Sequence, residues 1–174
     1  MLDDLNTSTI FYFVVGFGYS IIVGHLVIKS VLDTYYTGHE EGRQKQKWRA
    51  AVVGFVERTL YLGSILANKP EFIAIWLAFK IAGQWDRWKT DYYADPKKRP
   101  LLEDSPGDTA RAVWGGYAIG NGLSIAFAFT GGVIIQLLVD SNLMQALFLG
   151  ISLLILCLFL HLYIRHHVKK STKV

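Results

Sequence analysis

Five long apolar runs, separated by polar and mostly basic segments, constrain this chain more than any other feature. They extend from Thr9 to Ser30, Arg49 to Asn68, Phe72 to Trp88, Ala112 to Val139 and Leu143 to Ile164. A helix that crosses a bilayer needs about 20 mainly apolar residues, because hydrocarbon offers its backbone no other hydrogen-bond partner. Five such helices use roughly 100 residues, and the chain has 174. Composition agrees: 52% of residues are hydrophobic, mean hydropathy is +0.29 and 18% are charged, against about a quarter in soluble domains. Intrinsic disorder, a disulfide scaffold and a large multidomain enzyme are excluded. The expected architecture is an all-α, polytopic transmembrane helix bundle, one membrane domain over residues 1–174. Its spans are expected at about 9–30, 49–68, 72–88, 112–139 and 143–164.

The basic residues set an orientation. Arg43, Lys45, Lys47 and Arg49 lie between runs one and two. Arg87, Lys89, Lys97, Lys98, Arg99 and Arg111 lie between runs three and four, and Arg165, Lys169, Lys170 and Lys173 follow run five. The opposite side holds Lys69 alone. Five crossings put every basic cluster on one face, which the positive-inside rule makes cytoplasmic. The N-terminus is then outside, the C-terminus cytoplasmic, and 31–48 and 89–111 are cytoplasmic loops. Trp48, Trp85, Trp88 and Trp114 fall at that boundary, where amphipathic indole rings collect. Met1-Leu2-Asp3-Asp4 is acidic, unlike the basic start of a signal peptide, so the first run is kept as a span. A re-entrant hairpin in place of runs two and three satisfies the same charges and is the alternative topology. The net charge of +4 and pI near 9.1 need no nucleic-acid partner on this reading. The one cysteine, Cys157, sits inside an apolar run and reads as a small buried hydrophobe.

Charges at bilayer depth are costly and mark candidate sites. Glu57 and Arg58 lie in the middle of run two, and Lys80 in the middle of run three. Glu57 is twelve residues before the turn at Lys69 and Lys80 eleven after it. Both therefore reach roughly 17 Å from the turn at 1.5 Å per residue, and an antiparallel hairpin sets them level. Gly54, Glu57, Tyr61 and Ser64 share one helix face; Tyr117, Asn121 and Ser124, beside Gly116 and Gly120, share another. The expected ligand-binding set is Glu57, Arg58, Lys80, Tyr61, Tyr117, Asn121 and Ser124, a polar centre enclosed by helices two to four. Fully ionised, its three charges sum to +1 and favour an anionic ligand such as a lipid headgroup or small anion. The competing expectation is structural: a Glu–Lys or Glu–Arg bridge that joins helices.

Gly16, Ser20 and Gly24 recur every four residues in run one, as do Gly116, Gly120 and Ser124 in run four. Small residues at this spacing let helix backbones approach closely, and internal packing is favoured over self-association. Gly131-Gly132 is a candidate bend. His25 and His161 are candidates to meet at the cytoplasmic side. The long loop's Tyr92, Tyr93, Lys97, Lys98 and Arg99 could touch anionic headgroups, but a solvated linker is the favoured reading. There is no H-E-x-x-H, nucleophile elbow or phosphate-binding glycine loop. No catalytic residue, metal ligand or cofactor is expected.

Three elements carry a resemblance. Gly54-Phe55-Val56-Glu57-Arg58-Thr59-Leu60 fits G-x-x-E-R-x-L, Phe72 to Lys80 is an apolar helix ending in lysine, and Tyr117 to Ser124 fits Y-x-I-G-x-x-L-S. Together they resemble an uncharacterised bacterial integral-membrane family, a domain of unknown function, over about residues 54–124. The chain departs from that pattern in having Asn121 where Thr is expected and a longer, proline-rich loop after Lys80. The resemblance implies that Glu57, Arg58, Lys80, Tyr117, Gly120 and Ser124 belong to one site, and it implies a bacterial inner (cytoplasmic) membrane. Glu57-Arg58 with Asn68-x-x-Glu71 also resembles the order of polar pairs in membrane-associated glutathione transferases. The gap between those pairs is wrong for that family.

The function expected first is binding or translocating a small anionic or amphiphilic, lipid-like solute. An accessory or structural subunit of a membrane complex is the second expectation, and an intramembrane transferase the third. The expected partners are the lipid bilayer, an anionic lipid or small anion, and a second copy or another membrane protein. Nucleic acid is not among them.

Overall fold

A computed structural model of the chain describes residues 7–37, 47–93 and 106–171. Among these residues every element is helical. Helix α1 (Thr7–Gly18) passes through a π-helical turn at Tyr19–Val23 into α2 (Gly24–Thr37). Then come α3 (Lys47–Leu66), α4 (Glu71–Tyr93), α5 (Pro106–Val139) and α6 (Leu143–Ser171). The helices overrun the apolar runs at the basic end, so described parts of the two segments read as loops are helical. Arg43, Lys45, Pro96, Lys97, Lys98, Arg99, Pro100 and the first six residues lie outside the described residues. So do the side chains of Trp48, Trp85, Trp88, Tyr92 and Tyr93.

Among the described residues three helices are long and apolar enough to cross a membrane: Thr7–Thr37, Trp114–Val139 and Leu143–Val168. They point to a membrane protein. Helices α3 and α4 occupy the positions of runs two and three and are not among these three. Outward-facing side chains agree with a lipid surround. Met144 is 78% exposed, Phe148 76% and Phe79 74%, a surface that a water-soluble monomer does not carry at this extent.

Helix α5 is the central element and packs against α1, α2, α3 and α6. Its core contacts form three groups: Tyr61, Leu62, Ala128 and Ile135; Ile28, Phe127 and Cys157; and Ile134, Leu138 and Ala146. Cys157 is thus the buried hydrophobe its setting indicated. Both small-residue stripes are used inside the bundle. A Cβ on Gly16 would lie 2.7 Å from the Gly131 carbonyl oxygen, and one on Gly131 would lie 2.8 Å from the Gly16 carbonyl oxygen. Backbone meets backbone at this α1–α5 crossing, with Ser20 beside it. Gly116 accommodates the Tyr36 ring, and Gly120 faces Leu32. The Gly131-Gly132 pair does not interrupt the α5 helix. It serves as the point of closest approach to α1 and, through Ile65, to α3.

Both tight turns end a helix in the same way. Asn68 (φ 55°) and Ser141 (φ 62°) adopt the left-handed conformation. Asn68 N–H donates to the Ile65 carbonyl at 3.0 Å and Lys69 N–H to that of Ser64 at 2.8 Å. Ser141 and Asn142 repeat the pattern onto Leu138 (3.1 Å) and Leu137 (2.7 Å). These paired bonds form a Schellman cap, which glycine fills best. Serine in this conformation costs about 1 kcal/mol relative to glycine. Ser141→Gly is therefore expected to stabilise the α5–α6 hairpin by about that amount, read as a higher unfolding temperature in detergent. A lower one would contradict the left-handed assignment.

Candidate functional site

Glu57 and Arg58 are neighbours in sequence, so their side chains leave α3 about 100° apart. That angle gives the two charges different surroundings. Glu57 faces α4 and α5. Its Oε1 lies 2.5 Å from Lys80 Nζ and accepts from Trp76 Nε1 at 3.4 Å. Lys80 Nζ also donates to Asn121 Oδ1 at 2.6 Å, and Asn121 Nδ2 donates to the Tyr117 carbonyl at 2.8 Å. The ammonium stands 5.2 Å from the Tyr117 ring centroid, within cation–π range. Tyr117 in turn stacks on Trp114, with 5.7 Å between ring centroids. The equal distance of Glu57 and Lys80 from the turn thus places them in an ion pair where α3, α4 and α5 meet. Helix α4 packs on α3, and this polar cluster ties it to α5.

Arg58 is separate from that cluster. It is 2% exposed, and its Nε has no hydrogen-bond partner. Among the described residues no carboxylate lies within ion-pair distance of it. Its stem runs past Gly24, where an added Cβ would lie 3.4 Å from Arg58 Cδ and 3.0 Å from the Phe127 ring. Its guanidinium turns back over Gly54, where a Cβ would lie 3.2 Å from Nη1. Two glycines therefore make the space for one arginine. Gly54 joins the site for this reason, rather than as part of a polar stripe with Glu57.

Arg58 forms the floor of a groove between the first helical rod and α3, with a volume of about 380 Å³. His25 lies beside it, and Ile22, Leu26, Val52 and Phe55 form the rim. Those four are 62%, 61%, 52% and 50% exposed. The π-helical turn supplies Ile21 and Ile22 to this wall; such turns recur at functional sites. The groove combines a long apolar surface with a buried cation that has no carboxylate within ion-pair distance among the described residues.

The sequence-derived set is therefore divided. Glu57, Lys80, Asn121 and Tyr117 come together, and Arg58 does not join them. Tyr61 lies in the α3–α5 core, fully buried, with its hydroxyl unpartnered. Ser124 is buried on α5. His25 and His161 do not meet: His161 Nδ1 lies 3.4 Å from Thr34 Oγ1 in a cleft with Thr37 and Arg165. Sequence reasoning missed Trp76 and His25 as site residues. Trp76 precedes Lys80 by four residues and so shares its helix face, a signal that was available. His25 was legible as a polar residue in an apolar run, but its pairing with Arg58 depends on how two helices pack.

In comparisons with known proteins, no family model, no curated protein and no solved structure matches this chain.

Proposed function

We propose that this is a multi-pass protein of a bacterial inner membrane that binds an anionic amphiphile in the groove between its first rod and α3. On this reading all five rods cross the bilayer, with the N-terminus outside and the C-terminus cytoplasmic. Helices α3 and α4, of 20 and 23 residues, are roughly 30 Å and 35 Å long, enough to span. The observation that carries the function is the buried Arg58, whose Nε has no hydrogen-bond partner and which has no carboxylate within ion-pair distance among the described residues. An arginine at the centre of a bilayer costs at least about 2.5 kcal/mol, and a bound anion offsets that cost. The apolar rim of Ile22, Leu26, Val52 and Phe55 suits an acyl chain, and Arg58 with His25 suits its charged head. Lys80 already has Glu57 as partner, so the ion pair serves to join helices and Arg58 serves the ligand.

The test is native mass spectrometry of gently solubilised protein supplied with phosphatidylglycerol or phosphatidylcholine. Wild type is expected to retain one phosphatidylglycerol in preference to phosphatidylcholine. Arg58→Gln is expected to weaken retention by about tenfold, the worth of one charge-assisted contact. Arg58→Gln also removes an unpaired buried charge, so its unfolding temperature is expected to hold or rise. Equal retention in wild type and Arg58→Gln, or no preference for the anionic lipid, would overturn the proposal.

A further inference from the structure

We infer that the cleft between α2 and α6 is a separate binding site, specific for a headgroup that joins a phosphate to a primary ammonium, as in phosphoethanolamine. It does not depend on the groove at Arg58. Helices α2 and α6 pack together, and the cleft between them has a volume of about 310 Å³. Its lining is Thr34, Thr37, His161, Arg165 and Val168. Those residues occupy the last two turns of Thr7–Thr37 and of Leu143–Val168, two of the helices of membrane-crossing length. A helix that crosses a bilayer ends in its headgroup layer, so phospholipid heads are the groups that reach this cleft.

The hydroxyl protons decide the chemistry. Thr34 Oγ1 donates to the Ser30 carbonyl at 3.0 Å, and Thr37 Oγ1 to the Asp33 carbonyl at 2.7 Å. Each hydroxyl has one proton to give, so toward a ligand both threonines only accept. With the Thr34 proton used, His161 Nδ1 is the donor in its 3.4 Å contact with Thr34 Oγ1. In the neutral ring Nε2 is then an acceptor. Two hydroxyl oxygens and one ring nitrogen match the three N–H donors of a primary ammonium. Asp33 precedes Thr37 by four residues on the same face of α2 and adds a carboxylate beside them. Arg165 follows His161 by four residues on α6 and is exposed. Among the described residues no carboxylate lies within ion-pair distance of it. Its planar guanidinium suits a phosphate, which it can hold by two parallel hydrogen bonds. A simple anion would use Arg165 and meet only acceptors elsewhere. A simple amine would meet the arginine's charge. A head with both groups uses the whole lining, whereas a choline head has no N–H to give the threonines.

The experiment is native mass spectrometry of the full chain supplied with phosphatidylethanolamine and phosphatidylcholine in equal amounts. Wild type is expected to retain phosphatidylethanolamine about tenfold better, the worth of one charge-assisted hydrogen bond. Thr34→Val combined with Thr37→Val removes two acceptors and keeps the β-branched shape. It is expected to erase that preference while the unfolding temperature holds. Arg165→Gln is expected to weaken retention of phosphatidylethanolamine by about tenfold through loss of the phosphate contact. Arg58→Gln is expected to leave the preference unchanged, which separates this cleft from the groove. Equal retention of the two lipids by wild type would overturn the inference. So would a preference that survives the double valine variant, or one that Arg58→Gln removes. Soluble O-phosphoethanolamine in large excess is expected to leave lipid retention unchanged. Displacement of the lipid by it would show the same chemistry read from a free solute, and would overturn the lipid as its source.

Discussion

Replacing Glu57 with leucine is expected to cost about 3 kcal/mol and to release α4 first. The substitution leaves the Lys80 ammonium with Asn121 Oδ1 and the Tyr117 ring but no counter-charge. Breaking a buried pair by removing one partner costs about 3–5 kcal/mol, because the remaining charge stays desolvated. The low end applies here, since the Lys80 side chain is 21% exposed and partly reached by its surroundings. Helix α4 is the element most affected, because it packs on α3 and is tied to α5 through this cluster. The measurement is thermal unfolding in detergent, with amide exchange followed along residues 71–83. The double variant Glu57→Leu with Lys80→Leu is expected to regain most of the lost stability, because the charges are removed together. A double variant no better than the single one would show that packing, and not charge, holds α4 in place.

The second large effect is expected at the α1–α5 crossing. Gly131→Leu places a Cβ 2.8 Å from the Gly16 carbonyl oxygen and 3.0 Å from Ser20 Cβ. A flexible side chain would swing aside, but the obstacle here is backbone, so the helices must separate. Overpacking of this kind costs about 1–3 kcal/mol, and the upper end is expected. Gly122→Leu in the same helix is the control, because nothing lies within 4 Å of its added Cβ. It is expected to leave the unfolding temperature unchanged or slightly raised, since glycine is a weak helix former. Equal behaviour of the two variants would mean that α1 and α5 do not cross at Gly16 and Gly131.

The two predictions separate the roles of the three charges Glu57, Arg58 and Lys80. If Glu57 and Lys80 act as a latch, their joint removal leaves lipid retention intact, while Arg58→Gln loses lipid and keeps the fold. A single shared polar centre would tie both outcomes together. The geometry separates them, because Glu57 Oε1 is already held by Lys80 and Trp76 while Arg58 Nε has no partner.

Much of this architecture is legible in the residues themselves. The apolar runs set where the helices lie, because a 20-residue hydrophobic segment has few other stable forms. Asp140-Ser141-Asn142 marks the α5–α6 turn, and Asn68-Lys69-Pro70 the α3–α4 turn. Level placement of Glu57 and Lys80 follows from counting residues on either side of Lys69, since helical rise is constant. The small-residue stripes were readable as packing faces, but not which helix each would meet. Rotation about each helix axis was not readable, and it decided the site. It turned Glu57 toward α4 and α5, turned Arg58 toward Gly24 and His25, and set His161 against Thr34 instead of His25. A one-dimensional pattern carries spacing along an axis, so it determined the helices and the position of each charge along them. Which charge found a partner depended on how the helices packed around α5, and only the tertiary structure could decide that.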